Sequence, residues 1–285
     1  MLKGAYFIWL FFLGYLSAFG QEEEGVFWEI SSQNNPKPSY LFGTIHLICE
    51  GNFTINPQIS EKISETDVLV LEVDLDDPAL QGSMRDNLYN KDGQKIKDFL
   101  SKEEYLTVYT FLKERTGMDM DMLQEMRPMV LMSLIYNNLL ECETKSFENE
   151  LMILAKEAQI EVTGLETFDD QMSLFDHIPL KSQYRSFYSY VNDIDKGQEE
   201  FRKLIKAYKE EKILALLKMV SESPEYNDYQ DLFLSDRNKK WVAPMTQIMN
   251  EGSAFIAVGA GHLGGPNGIL NLLKNKGYEV NRIYL

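Results

Sequence analysis

Two of the three histidines in the chain stand in the same short frame, three residues after a glycine and directly after an apolar run. The frames are Gly43-Thr-Ile-His46 near the start and Gly259-Ala-Gly-His262 near the end. Imidazole is a common metal ligand and a general base near neutral pH, and a glycine lets backbone or ligand approach closely. A single histidine at a strand end is more often a structural group. The repeated frame nevertheless predicts that both histidines serve one chemical site.

Two glutamates end other apolar runs of the sequence. Glu72 follows Val68-Leu-Val-Leu71, and Glu166 follows a short run that ends at Leu165. A carboxylate at the end of a buried strand is costly unless a metal ion or a basic group pairs with it. Two histidines and a glutamate with an open position are a composition of hydrolytic metal sites, where the ion lowers the pKa of bound water. The alternative is that both acids are solvated residues at strand ends.

A basic pair, Arg237-Asn238, lies at the predicted start of a helix. Such side chains and the free N–H groups of a helix N-terminus together could hold a carboxylate or a developing oxyanion. The alternative is an Asp236 cap followed by an ordinary basic turn. The third histidine, His177, has no glycine frame, and we expect it to be structural or exposed.

Cys49 and Cys142 are the only cysteines. In an oxidising compartment they could form one disulfide, which requires a proximity that the sequence does not reveal. The competing interpretation is that Cys49 binds a metal ion together with His46, three residues earlier. An exported thiol is readily oxidised, so we give this second interpretation less weight.

The composition is that of a folded and strongly acidic protein. The 285 residues are 44% hydrophobic, which is enough for one or two domains with a packed core. A formal net charge of −16 repels phosphate backbones and anionic lipid. We therefore expect no nucleic-acid partner.

The first twenty residues differ from the rest. Lys3 gives a short positive start, an apolar stretch runs from Ala5 to Leu16, and small residues precede Gln21. This pattern predicts a signal peptide over residues 1–20, with an uncleaved anchor as the alternative. We expect an exported chain, periplasmic or secreted, with no stable membrane anchor after cleavage.

Hydrophobic patterns and turn residues place these side chains on an α/β framework. Buried strands are predicted over Asp67–Asp74 and Ala254–Val258, and Tyr40–His46 should form a hairpin with a preceding strand. A helix over residues 56–66 implies a right-handed crossover, so the strand of Glu72 should lie beside the strand of His46 and parallel to it. The predicted fold class is α/β, with a mixed central sheet built from both chain ends.

The middle of the chain is helical in pattern. We predict one domain over residues 21–285, with a helical insertion or cap over 77–250 that is interrupted by a strand near 160–165. In open α/β sheets, ligands bind beyond the carboxyl ends of the strands. The histidines and glutamates described above should meet at that edge.

Five motifs occur in order over nearly the whole chain after residue 20. They are Leu41-Phe-Gly-Thr-Ile-His46-Leu, Val70-Leu-Glu72-Val-Asp, Thr163-Gly-Leu-Glu166-Thr, Asp236-Arg237-Asn238-x-x-Trp241 and Val258-Gly-Ala-Gly-His262-Leu-x-Gly-Pro-x-Gly268. Each is weak alone, and the set is specific. Together they resemble the TraB/GumN family, which is related to the Tiki metalloproteases and more distantly to the erythromycin esterases.

The resemblance implies an α/β fold with a helical cap and, for the Tiki branch, divalent-metal-dependent peptide cleavage. The two histidines of the family's Gly-x-x-His motifs match His46 and His262. The acids of the family match Glu72 and Glu166, and its basic pair matches Arg237-Asn238.

Our leading hypothesis is an exported metal-dependent hydrolase, a peptidase that acts on a peptide or protein. His46, Glu72 and His262 would hold Mn²⁺, Co²⁺ or Zn²⁺, and Glu166 would be the general base. The pair Arg237-Asn238 would bind the substrate carboxylate or the tetrahedral oxyanion. Two alternatives stay open. One is a metal-independent, esterase-like hydrolase in which one histidine is the base, and the other is a non-enzymatic protein that binds a peptide or glycan.

Overall fold

The computed structural model describes residues 24–33, 35–140, 142–223 and 227–285. The predicted signal peptide, residues 1–20, lies outside these ranges. The strands are β1 (Phe27–Ser32), β2 (Asn35–Thr44), β3 (Ile48–Cys49), β4 (Val68–Val73), β5 (Thr144–Lys145), β6 (Glu161–Glu166), β7 (Ala254–Gly259) and β8 (Glu279–Arg282). The helices are α1 (Pro57–Ser64), α2 (Leu80–Asp86), α3 (Lys102–Thr116), α4 (Met120–Leu123), α5 (Pro128–Leu140), α6 (Phe147–Ala158), α7 (Phe168–Phe175), α8 (Leu180–Asn192), α9 (Ile194–Lys209), α10 (Ile213–Ser221), α11 (Asp236–Glu251) and α12 (Ile269–Asn275).

Within these ranges, six strands form one mixed sheet in the order β6-β4-β7-β2-β1-β8. The strands β6, β4, β7 and β2 run in one direction. By contrast, β1 is antiparallel to both β2 and β8. Strands from the two ends of the chain are interleaved, which confirms the predicted fold class.

The strand β7 lies between β4, which carries Glu72, and β2, which leads to His46. The prediction that these two strands are neighbours was therefore wrong, because each of them pairs with β7 instead. The physical reason is burial. Every residue from Ala254 to Val258 is buried, and such an apolar run suits the middle of a parallel sheet. The strand β2 also ends earlier than predicted, at Thr44, so His46 lies in the loop that follows.

Local sequence signals set several helix boundaries. The side chain of Asn56 caps α1 by accepting a hydrogen bond from the Gln58 N–H, and Pro57 takes the first helical position. A capping box of Ser101 and Glu104 opens α3. These boundaries follow from short-range hydrogen bonds, so the sequence alone could locate them.

The helices between residues 77 and 250 contribute to two hydrophobic clusters. The larger cluster contains the sheet and buried side chains of α6, α9, α10 and α11, among them Phe147, Tyr208 and Trp241. The smaller cluster is built mainly from α3, α4, α5 and α8, and its fully buried side chains include Val108 and Tyr184. The predicted insertion therefore divides into helices that cover the sheet and helices that form a second core. No helix in the described ranges is both long enough and apolar enough to cross a membrane.

Cys49 and Cys142 form a disulfide, with Cα atoms 5.7 Å apart. The bond excludes the interpretation of Cys49 as a metal ligand. It lies at a two-stranded ladder in which β3 pairs with β5. The strand β3 closely follows His46 in the chain, and the strand β5 precedes α6.

Candidate active site

The carboxyl ends of four parallel strands bring the predicted histidines and glutamates to one edge of the sheet. Val73, next to Glu72, pairs with Glu166 at the ends of β4 and β6. Thr44 pairs with Gly259 at the ends of β2 and β7. Residues from opposite ends of the chain are therefore neighbours, at the edge where open α/β sheets bind ligands.

The glycine of the first frame lets the two frames pack together. A Cβ atom at Gly43 would lie 2.6 Å from Leu263 Cδ1 and 3.1 Å from Ala260 Cα. Both of those residues belong to the turn around His262. A side chain at residue 43 would push this turn away, so glycine is what permits the contact.

The glycine of the second frame leaves a small space open between the functional groups. A Cβ atom at Gly259 would lie 3.3 Å from Glu72 Oε1, 3.7 Å from His262 Cδ2 and 4.0 Å from His46 Nε2. One carboxylate and both imidazoles therefore border the same space. We call it the Gly259 space.

Glu72 is the buried anion of the site. Its Oε1 accepts a hydrogen bond from the Gly259 N–H at 2.8 Å, and its Oε2 accepts from Arg237 Nη2 at 2.6 Å and Gln171 Nε2 at 3.1 Å. Burial raises the pKa of Glu72, but the charges of Arg237 and the imidazoles outweigh it and lower the pKa to about 2. The carboxylate is therefore ionised at neutral pH.

His262 is held in one tautomer by Asn238. The Asn238 Nδ2 donates to the carbonyl oxygens of His262 and Asn267, at 3.2 and 2.9 Å. Its Oδ1 therefore accepts from His262 Nδ1, at 2.6 Å. The lone pair of His262 Nε2 accepts from Arg237 Nη1 at 3.2 Å, because a guanidinium only donates. Burial lowers the pKa of His262 to about 3, so the ring is neutral.

Glu148, which the sequence did not reveal as a site residue, orients the ring of His46 through Nδ1, as Asn238 orients the ring of His262. Nδ1 of His46 lies 3.0 Å from Glu148 Oε1, which also accepts from Thr44 Oγ1 at 2.7 Å. Ser146 Oγ donates to the other carboxylate oxygen at 2.7 Å. Burial raises the pKa of Glu148, but the hydrogen bond and charge of His46 outweigh it and lower the pKa to about 2. Because an ionised carboxylate only accepts, His46 Nδ1 is the donor and Nε2 faces the Gly259 space.

Unlike His262, His46 is open to solvent, with 69% of its side chain exposed. Desolvation lowers the pKa of His46, but the hydrogen bond and charge of Glu148, together with the charge of Glu72, raise it to about 9. Because solvent reaches most of the ring, the contact with Glu148 decides the direction of the shift. In this arrangement His46 is an imidazolium at neutral pH, and a metal ion would compete with the proton on Nε2.

Arg237 connects the two predicted acids. Its Nε and Nη2 donate to Glu166 Oε1 at 3.1 and 2.7 Å, Nη2 also donates to Glu72, and Nη1 donates to Phe233 O at 3.2 Å. The guanidinium lies 4.4 Å from the centre of the Trp241 ring, and the indole N–H donates to Glu166 Oε2 at 3.0 Å. Burial lowers the pKa of Arg237, but the two carboxylates outweigh it and raise the pKa. Glu166 is enclosed by these contacts, with 2% of its side chain exposed.

We had predicted that a helix starts at Arg237-Asn238 and that its free N–H groups point into the site. The second part of this prediction was wrong. A π-helical segment, Asp231–Ser235, leads directly into α11, and Asp236 has helical dihedral angles rather than those of a cap. The start of α11 at Asp236 agrees with the prediction, but the helix has no open N-terminus there because the chain is already helical one turn earlier. The two residues therefore act through their side chains.

A model of the TraB/PrgY/gumN family matches residues 26–282, which include every strand of the sheet and all of the site residues described above. The chain belongs to the TraB/PrgY/gumN family. The resemblance of the five motifs to this family is thereby confirmed. No curated protein and no solved structure matches the chain.

In this TraB/PrgY/gumN chain, the six predicted site residues meet either directly or around the Gly259 space. They are His46, Glu72, Glu166, Arg237, Asn238 and His262. His177 belongs to a different environment, where its exposed ring contacts the carbonyl oxygen of Ser173. Glu148 gave no signal in the sequence, because an acid two residues after Ser146 is an ordinary feature of a helix start. Gln171, the third partner of Glu72, gave none either.

The chemistry of the donors fits a divalent ion, although Arg237 stands among them. Each imidazole donates its Nδ1–H to an oxygen acceptor, which is the usual outer arrangement of metal-binding histidines. Nε2 of His46 faces the Gly259 space, and Nε2 of His262 lies 3.9 Å from Glu72 Oε1. His46, Glu72 and His262 would hold the ion. As they are placed here, no three His, Cys, Asp or Glu side chains of the described ranges are close enough to do so. Binding of an ion would require these side chains to draw together.

Proposed function

We propose that this chain is an exported metal-dependent hydrolase that cleaves peptides or proteins. One observation supports the proposal most directly: His46 turns Nε2 toward the space that Glu72 borders, and Nε2 of His262 lies 3.9 Å from Oε1 of the same carboxylate. Metal-binding histidines commonly donate the other ring N–H to a carboxylate or another oxygen acceptor. Glu148 and Asn238 are those acceptors here.

The proposed ligands are His46, Glu72 and His262, and the proposed ion is Mn²⁺, Co²⁺ or Zn²⁺. Such an ion, when bound, polarises a scissile carbonyl and lowers the pKa of a water molecule. The exposed ring of His46 gives the substrate an approach from solvent. His262 supplies the buried wall of the same space, with 5% of the residue exposed.

The hydrogen bonds favour supporting roles for two of the other site residues. Asn238 uses both atoms of its amide on His262 and Asn267, so we propose that it orients His262. Both oxygens of Glu166 accept from Arg237 and Trp241, so we propose that it holds Arg237. The general-base role of Glu166 stays a prediction from the sequence.

The disulfide supports the proposed export. Structural disulfides persist in oxidising compartments such as the periplasm and the extracellular space, and they are rare in the cytosol. Cys49 and Cys142 are the only cysteines of the chain, and both are in the bond. We therefore propose a periplasmic or secreted location.

A metal-independent hydrolase is the second candidate, and one observation favours it. His46 and Glu148 form an exposed histidine–carboxylate pair whose Nε2 faces the site, and this nitrogen becomes a base when it loses its proton. A histidine oriented by a carboxylate is the arrangement of a general base in many hydrolases. In that case Arg237 would remain where it is and contribute positive charge.

The experiment compares peptide-library and ester cleavage by the purified protein before and after EDTA, with elemental analysis of the same samples. The proposed function predicts peptide cleavage that EDTA abolishes and Mn²⁺, Co²⁺ or Zn²⁺ restores. Cleavage that EDTA leaves unchanged would support the metal-independent hydrolase instead. Binding of a peptide or glycan without turnover under any of these conditions would contradict both and support a binding protein.

A further inference from the structure

We infer that Arg237 is a gate that occupies the proposed metal site until an ion displaces it. The inference rests on the proposed function, because it describes how the same site admits its ion. It follows from the single lone pair of His262 Nε2. An imidazole nitrogen without a proton has a single lone pair, and that of His262 Nε2 already accepts the hydrogen bond of Arg237 Nη1 at 3.2 Å. An ion and Arg237 cannot hold this nitrogen at the same time.

The same guanidinium also neutralises the carboxylate that would bind the ion. Arg237 Nη2 donates to Glu72 Oε2 at 2.6 Å, and Glu72 Oε1 lies 3.9 Å from His262 Nε2. Arg237 thus bridges two of the three proposed ligands. A divalent cation placed between them would repel the guanidinium strongly, because little solvent is present to screen the charges.

Contacts on the other side give Arg237 a place to remain after it releases these ligands. Its Nε and Nη2 donate to Glu166 Oε1, and its guanidinium plane lies over Trp241. Only the hydrogen bonds to His262 and Glu72 have to break. This arrangement gives a reason for a second buried carboxylate at the site, since Glu166 pairs with Arg237 in both positions.

The position in which Arg237 contacts Glu72 and His262 also accounts for the stability of the site before an ion binds. Buried carboxylates are tolerated when a cation and hydrogen bonds compensate them. Arg237 compensates Glu72 and Glu166 together, with 12% of its own side chain exposed. The ion would later take over the compensation of Glu72.

Trp241 lies against both partners of the proposed exchange, because its ring contacts the guanidinium of Arg237 and lies 4.6 Å from the ring of His262. The chain has three tryptophans, so Trp9→Phe with Trp28→Phe leaves Trp241 as the only fluorophore of its kind. We would titrate this full-length double variant with ZnCl₂ and follow tryptophan emission, with isothermal calorimetry as the independent measure of binding. Release of Arg237 from the ligands should change the emission and saturate at the Zn²⁺ concentration at which the heat saturates.

Two arginine substitutions provide the second measurement. Removal of the competitor by Arg237→Gln should tighten Zn²⁺ binding by about tenfold or more, the scale of one charge-assisted hydrogen bond. Arg127→Gln is the matched control, because Arg127 is also a buried arginine that pairs with a carboxylate, Asp176, outside this site. It should leave Zn²⁺ affinity unchanged. If Arg237→Gln fails to fold, constant emission in the tryptophan titration can still overturn the gate, since that experiment keeps Arg237 in place.

The outcomes separate the gate from the metal site. Zn²⁺ binding by calorimetry with constant Trp241 emission, or with equal affinity in a folded Arg237→Gln variant, would overturn the gate and leave the metal site standing. Absence of Zn²⁺ binding in every one of these proteins would overturn the metal site and the gate together. Coincident heat and emission changes, with tighter binding in Arg237→Gln, would support the gate.

Discussion

The Nδ1 of His46 lies 3.0 Å from Oε1 of Glu148, a residue 102 positions later in the chain. The contact decides which ring nitrogen of His46 faces the site. Both candidate functions depend on it, since a metal ligand and a general base would each use the lone pair of Nε2. Glu148 is therefore a positioning residue for either chemistry.

Removing the charge of Glu148 should bring the pKa of His46 back toward its usual value. In Glu148→Gln the pKa of His46 should fall from about 9 toward the usual value of about 6.5. The chain has only three histidines, so NMR titration of the imidazole resonances can measure it. Glu150→Gln, on the same helix as Glu148, removes an ion pair with Lys145 of β5; it is the control and should leave the pKa of His46 in place. An unchanged pKa in Glu148→Gln would show that this carboxylate does not set the protonation of His46.

The same pair predicts a pH dependence of stability. Because the folded state raises the pKa of His46, it binds the proton more tightly than the unfolded chain does. This contribution is complete below a pH of about 6.5 and is lost as the pH rises through about 9. Urea unfolding across this window should show a falling free energy of unfolding, and Glu148→Gln should flatten the fall. Parallel curves for the two proteins would contradict the prediction.

Substitution of the two frame histidines should abolish hydrolysis. His46→Ala and His262→Ala should each lower kcat/KM by about 100-fold or more, because either role, ligand or base, contributes at least this much. His177→Ala serves as the control, since this histidine lies outside the site. Rates are measured with the best peptide from the library, and circular dichroism verifies folding. Wild-type rates in both frame variants would remove the site from consideration.

A methyl group in the Gly259 space should damage function more than stability. In Gly259→Ala the new Cβ would lie 3.3 Å from Glu72 Oε1, closer than ordinary contact, and would occupy the space that the two imidazoles share. We expect kcat/KM and Zn²⁺ affinity to fall by about tenfold, a typical cost of misplaced ligands. Gly261→Ala is the control in the same turn, because its Cβ would meet only Val220 Cγ2, at 3.6 Å. Equal effects of the two substitutions would contradict the importance of the space.

Loss of the disulfide should lower stability substantially. The bond joins residues 93 positions apart, and closing a loop of this length restricts the unfolded chain by about 4 kcal/mol. Cys49→Ser with Cys142→Ser should lower the free energy of unfolding by about this amount, as measured by urea denaturation. The wild-type protein under strong reductant should match the double variant. If reductant leaves the free energy of unfolding of the wild-type protein unchanged, the disulfide has no stabilising role.

Much of the framework could be predicted from local patterns. The strand β7 and the first four residues of β4 are uninterrupted apolar runs, and such runs indicate burial on both faces. The order of the strands could not be predicted, because β7 enters between β4 and β2 through contacts made by residues far away in sequence. The π-helical segment before α11 was missed for a related reason. Nothing in the short-range pattern from Asp231 to Ser235 distinguishes it from a loop.

The sequence by itself determined which chemical groups are present and that glycines stand where they must approach one another. His46, His262, Glu72 and Glu166 were identifiable because residue type and position at a strand end are local properties. Only the tertiary structure decided which atom faces which. Glu148 orients His46, and Arg237 occupies the lone pair of His262, because hydrogen bonds act over about 3 Å between side chains brought together by packing. Distance along the chain carries no information about such contacts.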